Sequence, residues 1–397
     1  MTADTQPEAR RDAPPPRLLF FCSADDIALR RWVDSFADRG WPVAVAAPSR
    51  AAFGPWPGVE VHEYAPRLGA TAGRVSWRLQ RALLGRSLRR IARRFRADVH
   101  HVHWLDRVAA EVADAALRPL VLTPWGSDVL RLKDKPPAHA ELVGRALAQA
   151  DLVTCNSAAL RDACRALGAE PARLVEVQWG VDTDRFAPAA ADPALRAELG
   201  LDGKRVILSN RRTAEVYNLP VIVRAFGQVA GRFEDAALLM LVDDVVRAEG
   251  WRALAGEAAD RVVVRPWVPH DRLADYYALA ELYVSVPSSD STSVSLLEAM
   301  ACGAVPIVSD LPAPREWVAD GENGLVVPPG DADALAAALA RALSEPHLAA
   351  ARKDANRRIV IERASSRVHM DRMAAHYRRL AGRGAADGPA PPREGTP

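Results

Sequence analysis

Between residues 281 and 309 an apolar run, a hydroxyl-rich turn, a helix-forming stretch and a second apolar run follow one another without a break. Glu281-Leu282-Tyr283-Val284 and Val305-Pro306-Ile307-Val308-Ser309 have the length and composition of buried strands, so Ser285 to Gly303 reads as a turn feeding a helix. In an open α/β sheet, ligands bind at such turns, outside the carboxyl ends of the strands. The turn offers backbone N–H groups beside the positive end of a helix dipole, a ready site for phosphate. Along Ser291, Thr292, Ser293, Val294 and Ser295 the hydroxyls add further donors. Asp290 and Glu298 flank the same mouth, and two acids beside an anion site suit sugar hydroxyls. The residues also fit a plain N-capped helix with Glu298 as a solvated first-turn acid.

A chain of 397 residues, 49% hydrophobic, is ample for two domains with separate cores. A net charge of +2 argues against a charge-driven nucleic-acid binder. Cys22, Cys155, Cys164 and Cys302 are scattered, with no C-x-x-C pair, which fits a reduced, cytoplasmic chain and argues against zinc. Residues 1–16 lack the apolar region of a signal peptide, and no window is apolar for long enough to span a bilayer. The Pro-rich start (1–16) and the Gly/Pro/Ala-rich end (382–397) read as disordered tails.

Arg17 to Cys22 reads as a strand, Ile27 to Arg39 as a helix ended by Gly40, and Pro42 to Ala47 as a strand, the opening of a doubly wound domain. Arg74 to Arg96 holds nine arginines and no acid, with Trp77, Leu84, Leu88, Ile91 and Phe95 in one stripe. The stripe reads first as the buried face of a peripheral helix. The arginine excess keeps open a contact with an anionic membrane surface, at the inner face of the cell membrane, or with an anionic acceptor. Asp98 to Asp106 reads as a strand from whose carboxyl end His103, Trp104 and Asp106 emerge as acceptor-side candidates. His101 and His103 share a strand face and His100 does not, and no acid or cysteine stands at ligand spacing, so no metal is expected.

The Ala/Pro-rich run from Ala187 opens a linker placed at 187–199. Arg205 to Ser209 then begins a second domain, with Arg211 and Arg212 just past the strand, where a planar guanidinium suits bidentate phosphate contact. Arg261 to Arg265 is followed by the turn Pro266-Trp267-Val268-Pro269-His270.

The segment from Ser288 to Gly330, SSDSTSVSLLEAMACGAVPIVSDLPAPREWVADGENGLVVPPG, resembles the donor-binding signature of the family-4 retaining glycosyltransferases of the GT-B fold. In that family an acid, seven residues and a glutamate lead into Glu-Ala-Met-Ala-x-Gly, then Asp-Gly-x-Asn-Gly and Pro-Gly-Asp. Thr123-Pro124-Trp125-Gly126-Ser127-Asp128 and Trp179-Gly180-Val181-Asp182 resemble further family segments. Three departures stand out: Ser23-Ala24-Asp25-Asp26 replaces a glycine pair, Trp125 stands where many members have a histidine, and Val216-Tyr217-Asn218 replaces a lysine.

The resemblance implies an α/β chain of two Rossmann-like doubly wound domains facing across a cleft. The acceptor-binding domain is expected at 17–186, the nucleotide-sugar-binding domain at 200–365, and a helix at 366–381 crossing back to the first. The implied activity is metal-independent, retaining transfer of a sugar (hexosyltransferase type) from a nucleotide-diphosphate sugar to a saccharide, lipid-linked or small-molecule acceptor, with no cofactor. Arg211, with Arg212 beside it, and the Ser291–Ser295 backbone would hold the pyrophosphate, Glu298 the ribose, Asp290 the sugar hydroxyls, and Trp267 and Val268 the base. Trp125, Gly126 and Asp128 would face sugar hydroxyls, and His103 would stand in for the missing histidine. A nucleotide-sugar epimerase on the same fold, or a GT-B protein that binds without turning over, stays open as an alternative. A phosphorylase would need a pyridoxal lysine, and no lysine stands in a suitable context.

Overall fold

A computed structural model of the protein describes residues 14–22, 27–49, 56–64 and 77–383. Apart from 14–16 and 382–383, the expected tails lie outside the described residues, as does the loop at 23–26; residues 382–383 close the last helix.

The first domain is one parallel sheet of β1 (Leu18–Phe21), β2 (Val43–Ala47), β3 (Glu60–Glu63), β4 (Val99–His103), β5 (Leu120–Thr123), β6 (Leu152–Cys155) and β7 (Leu174–Glu176). Its order is β3-β2-β1-β4-β5-β6-β7. The second sheet holds β8 (Arg205–Ser209), β9 (Ala236–Val242), β10 (Val262–Pro266), β11 (Ala280–Ser285), β12 (Val305–Ser309) and β13 (Leu325–Val327), in the order β10-β9-β8-β11-β12-β13. These are the two doubly wound domains that the sequence implies. Central strands such as Leu-Leu-Phe-Phe and Ala-Ala-Leu-Leu-Met-Leu-Val are buried throughout, because helices cover both sheet faces. In each sheet the winding reverses once, between β1 and β4 and between β8 and β11. Loops diverge at such a reversal and leave a crevice. Cys22 and His103 from the first reversal, and Arg211 and Asp290 from the second, line one cleft between the domains.

Alternation sorts the first domain's strands into two cores. Leu19, Phe21 and Val102 face one, whereas Leu18, Phe20 and Val99 face the other. Leu88, Ile91 and Phe95 belong to the first core, so the stripe of the arginine-rich helix (Trp77–Phe95) packs on the sheet; Arg74 and the Trp77 side chain lie outside the description. The second core is completed by Met370, Met373, Tyr377 and Leu380 of the final helix (Ser366–Arg383), which returns to the first domain.

The connection between the domains differs from the expected boundary at 186 and linker at 187–199. Val181 and Phe186 are fully buried in a core of the second domain, and Pro193–Glu198 is a short helix anchored there by Leu195. Buried apolar residues at 181, 186, 195 and 199 anchor the run to that core at both ends, while residues 188–190 and 192–194 between them stay exposed. The outgoing chain at Val181 bridges the returning chain at Ser365. At Gly180 (φ +79°) a Cβ would lie 2.4 Å from the Cα of Ser366, so only glycine fits this crossing.

Candidate active site

The cleft has a volume of about 910 Å³. Its second-domain wall starts at the N-terminus of the helix Val294–Cys302, where Ser293 is the N-cap and accepts from the Leu296 amide. Arg211, extending from the end of β8, is buried there. It donates to Asp290 Oδ2 at 2.6 Å, to Ser293 Oγ at 2.5 Å and to Ser295 Oγ at 3.4 Å. Its guanidinium lies 4.3 Å from the centre of the Tyr217 ring. Burial is the largest influence and opposes its charge, but the Asp290 carboxylate together with the Tyr217 and Tyr283 hydroxyls outweighs it, and the guanidinium is held more firmly protonated than usual. Burial pushes Asp290 above the usual carboxylate range, against the pull of Arg211 and the Ser291 amide. The two acids are thus not equivalent: Asp290 is the counter-ion of Arg211.

Glu298 faces the other way. Its carboxylate is buried and accepts from Arg31 Nη1 at 2.9 Å, His270 Nε2 at 3.0 Å and the Tyr277 hydroxyl at 3.2 Å. Arg31 belongs to the first-domain helix Ile27–Ala37, so Glu298 ties the domains together rather than standing solvated in a first turn. A carboxylate has about four acceptor positions, and three are taken.

The first-domain wall is aromatic. Trp104 and Trp125 meet edge to face at 5.7 Å, and Trp125 and Trp179 at 5.3 Å. Trp104 has φ +70°, a strained conformation for a bulky residue, of the kind that concentrates at functional sites. His103 is buried, and burial lowers its pKa to about 3. Its Nδ1 faces Trp125 Nε1 at 3.3 Å.

Of the residues singled out in the sequence, the cleft brings together His103, Trp104, Trp125, Arg211, Arg212, Trp267, Val268, Asp290, Thr292, Ser293, Val294, Ser295 and Glu298. Arg212 lies 4.9 Å from the ring centre of Trp267, which is 44% exposed and not part of a core. Four others lie elsewhere. Asp106 caps the helix Arg107–Asp114 by accepting from the Val108 amide at 2.7 Å. Asp128 is fully buried and accepts from the amides of Leu105, Trp125 and Gly126, which occupy the oxygens expected to meet sugar hydroxyls. The Cβ position of Gly126 (φ +125°) is approached by Ser291 at 3.0 Å, so its openness admits the other domain and not a sugar. Ser291 bonds to the Asn156 side chain and, at 3.0 Å, to the Ser157 hydroxyl. Thr292, although it borders the cleft, donates to Asn156 O at 2.5 Å. The turn's first two hydroxyls therefore close the domain seam instead of awaiting an anion.

Arg31, Tyr217, His270 and Trp179 are additions to the site. Tyr217 lies in the stretch that replaces the lysine, and Trp179 follows β7 at its carboxyl end, a position that is a signal in itself. Arg31 has none, being one of two adjacent arginines on an ordinary amphipathic helix. Among the described residues no group of three or more His, Cys, Asp or Glu is placed to hold a metal ion.

Residues 192–359 match the family described as glycosyl transferases group 1, and residues 17–157 match glycosyl transferase 4-like proteins. A phosphatidyl-myo-inositol mannosyltransferase of Mycolicibacterium smegmatis is 30% identical over 287 residues, 68% of this chain and 67% of its own. A D-inositol 3-phosphate glycosyltransferase of Rhodococcus opacus is 32% identical over 226 residues, 54% of this chain and 50% of its own. The matched part thus spans half to two thirds of these relatives. The Anabaena HepE protein in complex with UDP superposes with a TM-score of 0.74 at 18% identity, covering 92% of this chain and 100% of that one. A sucrose-phosphate synthase from Thermosynechococcus elongatus gives 0.75 at 19% identity, with 92% and 100% covered. These two structures share the fold.

Proposed function

The chain belongs to the glycosyl transferases group 1 family, and from that premise we propose that it moves a hexosyl group from a nucleotide-diphosphate sugar to a hydroxyl acceptor, with retention and without a metal. The observation that carries this is Arg211, held by Asp290 and Ser293 at the N-terminus of a helix inside the interdomain cleft. A diphosphate entering the cleft takes over Arg211 and adds the helix dipole, which together stabilise the leaving charge as a metal would. Asp290, released from its counter-ion, turns to the sugar hydroxyls. The bond from the anomeric carbon to the phosphate oxygen breaks, and one to the acceptor oxygen forms on the same face. The acceptor's proton passes to the departing phosphate. The ribose diol takes the fourth acceptor position of Glu298 or displaces Arg31, and Trp267 and Val268 border the base. His103, Trp104 and Trp125 meet the sugar and the acceptor.

UDP, bound in the HepE structure, makes UDP-sugars the first donors to test, with GDP-sugars beside them. The relatives' names make phosphorylated inositols the first of the small-molecule acceptors, and saccharides and lipid-linked acceptors complete the panel. The expected result is an α-linked product from an α-linked donor, read by the anomeric proton coupling in NMR. A β-linked product overturns retention, and sugar released only as an epimerised nucleotide sugar favours the epimerase. No turnover with any pair, despite nucleotide binding, favours a binding protein.

At a membrane the chain would act peripherally. Among the described residues no helix is long and apolar enough to cross one. Arg86, Arg90, Arg93, Arg94 and Arg96 are exposed while their helix buries its apolar stripe, so the attraction is electrostatic and reversible. Co-sedimentation with phosphatidylserine vesicles at low salt that persists unchanged in R90E/R93E/R94E would rule out this face.

A further inference from the structure

His101 and His103 stand two residues apart on one face of β4, their rings 4.4 Å between centres, and each belongs to a chain of hydrogen bonds that begins at an indole. In the first chain Trp32 Nε1 donates to the Tyr377 hydroxyl at 2.9 Å. An indole N–H can only donate, so Tyr377 accepts there, and the acceptor within reach of its own buried hydroxyl proton is His101 Nδ1 at 2.6 Å. His101 then carries its own proton on Nε2 and gives it to Thr123 Oγ1, also at 2.6 Å. Every group in this chain has a partner inside the protein.

The second chain starts in the same way and ends differently. Trp125 Nε1 donates to His103 Nδ1 at 3.3 Å, which again places the imidazole proton on Nε2. That Nε2 is buried and meets no partner among the described residues, although His103 lines the cleft. A buried donor without an acceptor is destabilising, and proteins satisfy nearly all such groups.

We propose that Trp125 is a positioning residue: its indole fixes His103 as a neutral Nε2–H donor, and that N–H is completed by an oxygen of the transferred sugar when the donor occupies the cleft. Trp125 thereby acts through His103, and its exchange for a residue without an indole N–H has a consequence that lost packing does not. The inference rests on the nucleotide-sugar reading of the cleft for the identity of the partner, and on the hydrogen-bond geometry alone for the tautomer.

The test has two arms on the full chain labelled with 15N-histidine. In long-range 1H–15N NMR, wild-type His103 should show the Nε2–H pattern. Trp125→Phe, and the isosteric exchange of the Trp125 indole for benzothiophene, should give mixed tautomers. In the second arm UDP is compared with UDP-glucose, and GDP with GDP-mannose, by calorimetry. The advantage of the sugar nucleotide over the bare nucleotide should fall by about tenfold in both Trp125 variants and in His103→Ala, with nucleotide affinity unchanged; a lost hydrogen bond of this kind has that size. An Nδ1–H or doubly protonated wild-type His103 overturns the proposal, as does a sugar advantage that survives the benzothiophene exchange. If neither nucleotides nor nucleotide sugars bind the wild type, the transferase reading fails with its sugar partner, and the NMR arm still decides what Trp125 does to His103.

Discussion

The second domain lines the cleft with buried acids whose partners are in place: Asp290 pairs with Arg211, and Glu298 accepts from His270 and, across the seam, pairs with Arg31. The first domain lines it with His103, Trp104, Trp125 and Trp179, where the dominant contacts are between ring edges and faces and the histidine is kept neutral. A wall of buried charge is switched by exchanging one counter-ion for another. A wall of aromatic and neutral donors offers shape and a few fixed hydrogen bonds. The contrast suits a donor whose diphosphate meets the second domain and an acceptor whose polyol surface meets the first.

The largest effect is expected at the charged wall. Arg211→Ala strands Asp290 in a buried site, and breaking a buried pair typically costs about 3–5 kcal/mol. Transfer should fall by at least about a hundredfold, since about 1.4 kcal/mol corresponds to a factor of ten. Adding Asp290→Asn should restore the thermal midpoint without restoring transfer. Recovery of both in the double variant would show that the pair is structural and that the diphosphate lies elsewhere.

That wall was legible in the sequence because its residues are contiguous. Asp290 to Glu298 sit on one turn and one helix, and Arg211 follows a strand, so local patterning reaches most of the way. The first-domain wall draws on the ends of β4, β5 and β7, and no spacing along the chain announces that Trp125 will meet both His103 and Trp179. Nor does composition distinguish Asp128, which organises three backbone amides, from an acid that faces a ligand. The strands were easier to read, since period and composition report burial directly, whereas the pairing of two such domains across a cleft came with the family resemblance. The linker shows the limit: an Ala/Pro-rich run looks like a plain spacer until Phe186 and Leu195, on either side of its exposed middle, are seen in a core.

The strand that carries the neutral wall has its own signature in acid, through His103 in the cleft and His100 on the opposite face. Burial lowers the pKa of His100 to about 4 and of His103 to about 3, from about 6.5 when unfolded. In that window the unfolded chain binds more protons, so stability is complete above about pH 6.5 and is lost as the pH falls toward 4 and 3. Between pH 7.5 and 5 the first domain should lose about 2 kcal/mol per histidine. Asp290, shifted upward, binds its proton more readily when folded and does not add to this loss. Urea midpoints followed by tryptophan fluorescence, with His100→Gln as the comparison, would break the contrast if the loss were pH-independent.

A smaller effect tests the tie between the walls. If Glu298 serves the ribose and Arg31 competes for it, Arg31→Met should tighten UDP or GDP binding several-fold, roughly 1 kcal/mol. Calorimetry that shows weaker binding would make Arg31 a nucleotide contact instead.

The smallest effect belongs to Trp267, at the edge of the charged wall. Its ring is half-exposed and carries Arg212 4.9 Å from its centre, an arrangement worth about 0.5–1 kcal/mol at an exposed site. A base stacked on the ring would add a contact of similar size, so Trp267→Ala should weaken nucleotide binding by about threefold to fivefold while leaving bare pyrophosphate unaffected. Equal weakening of pyrophosphate and nucleotide would mean that the ring acts by steering Arg212 toward the phosphates. The charged wall would then extend beyond Arg211, and the base would have to be recognised by other parts of the cleft.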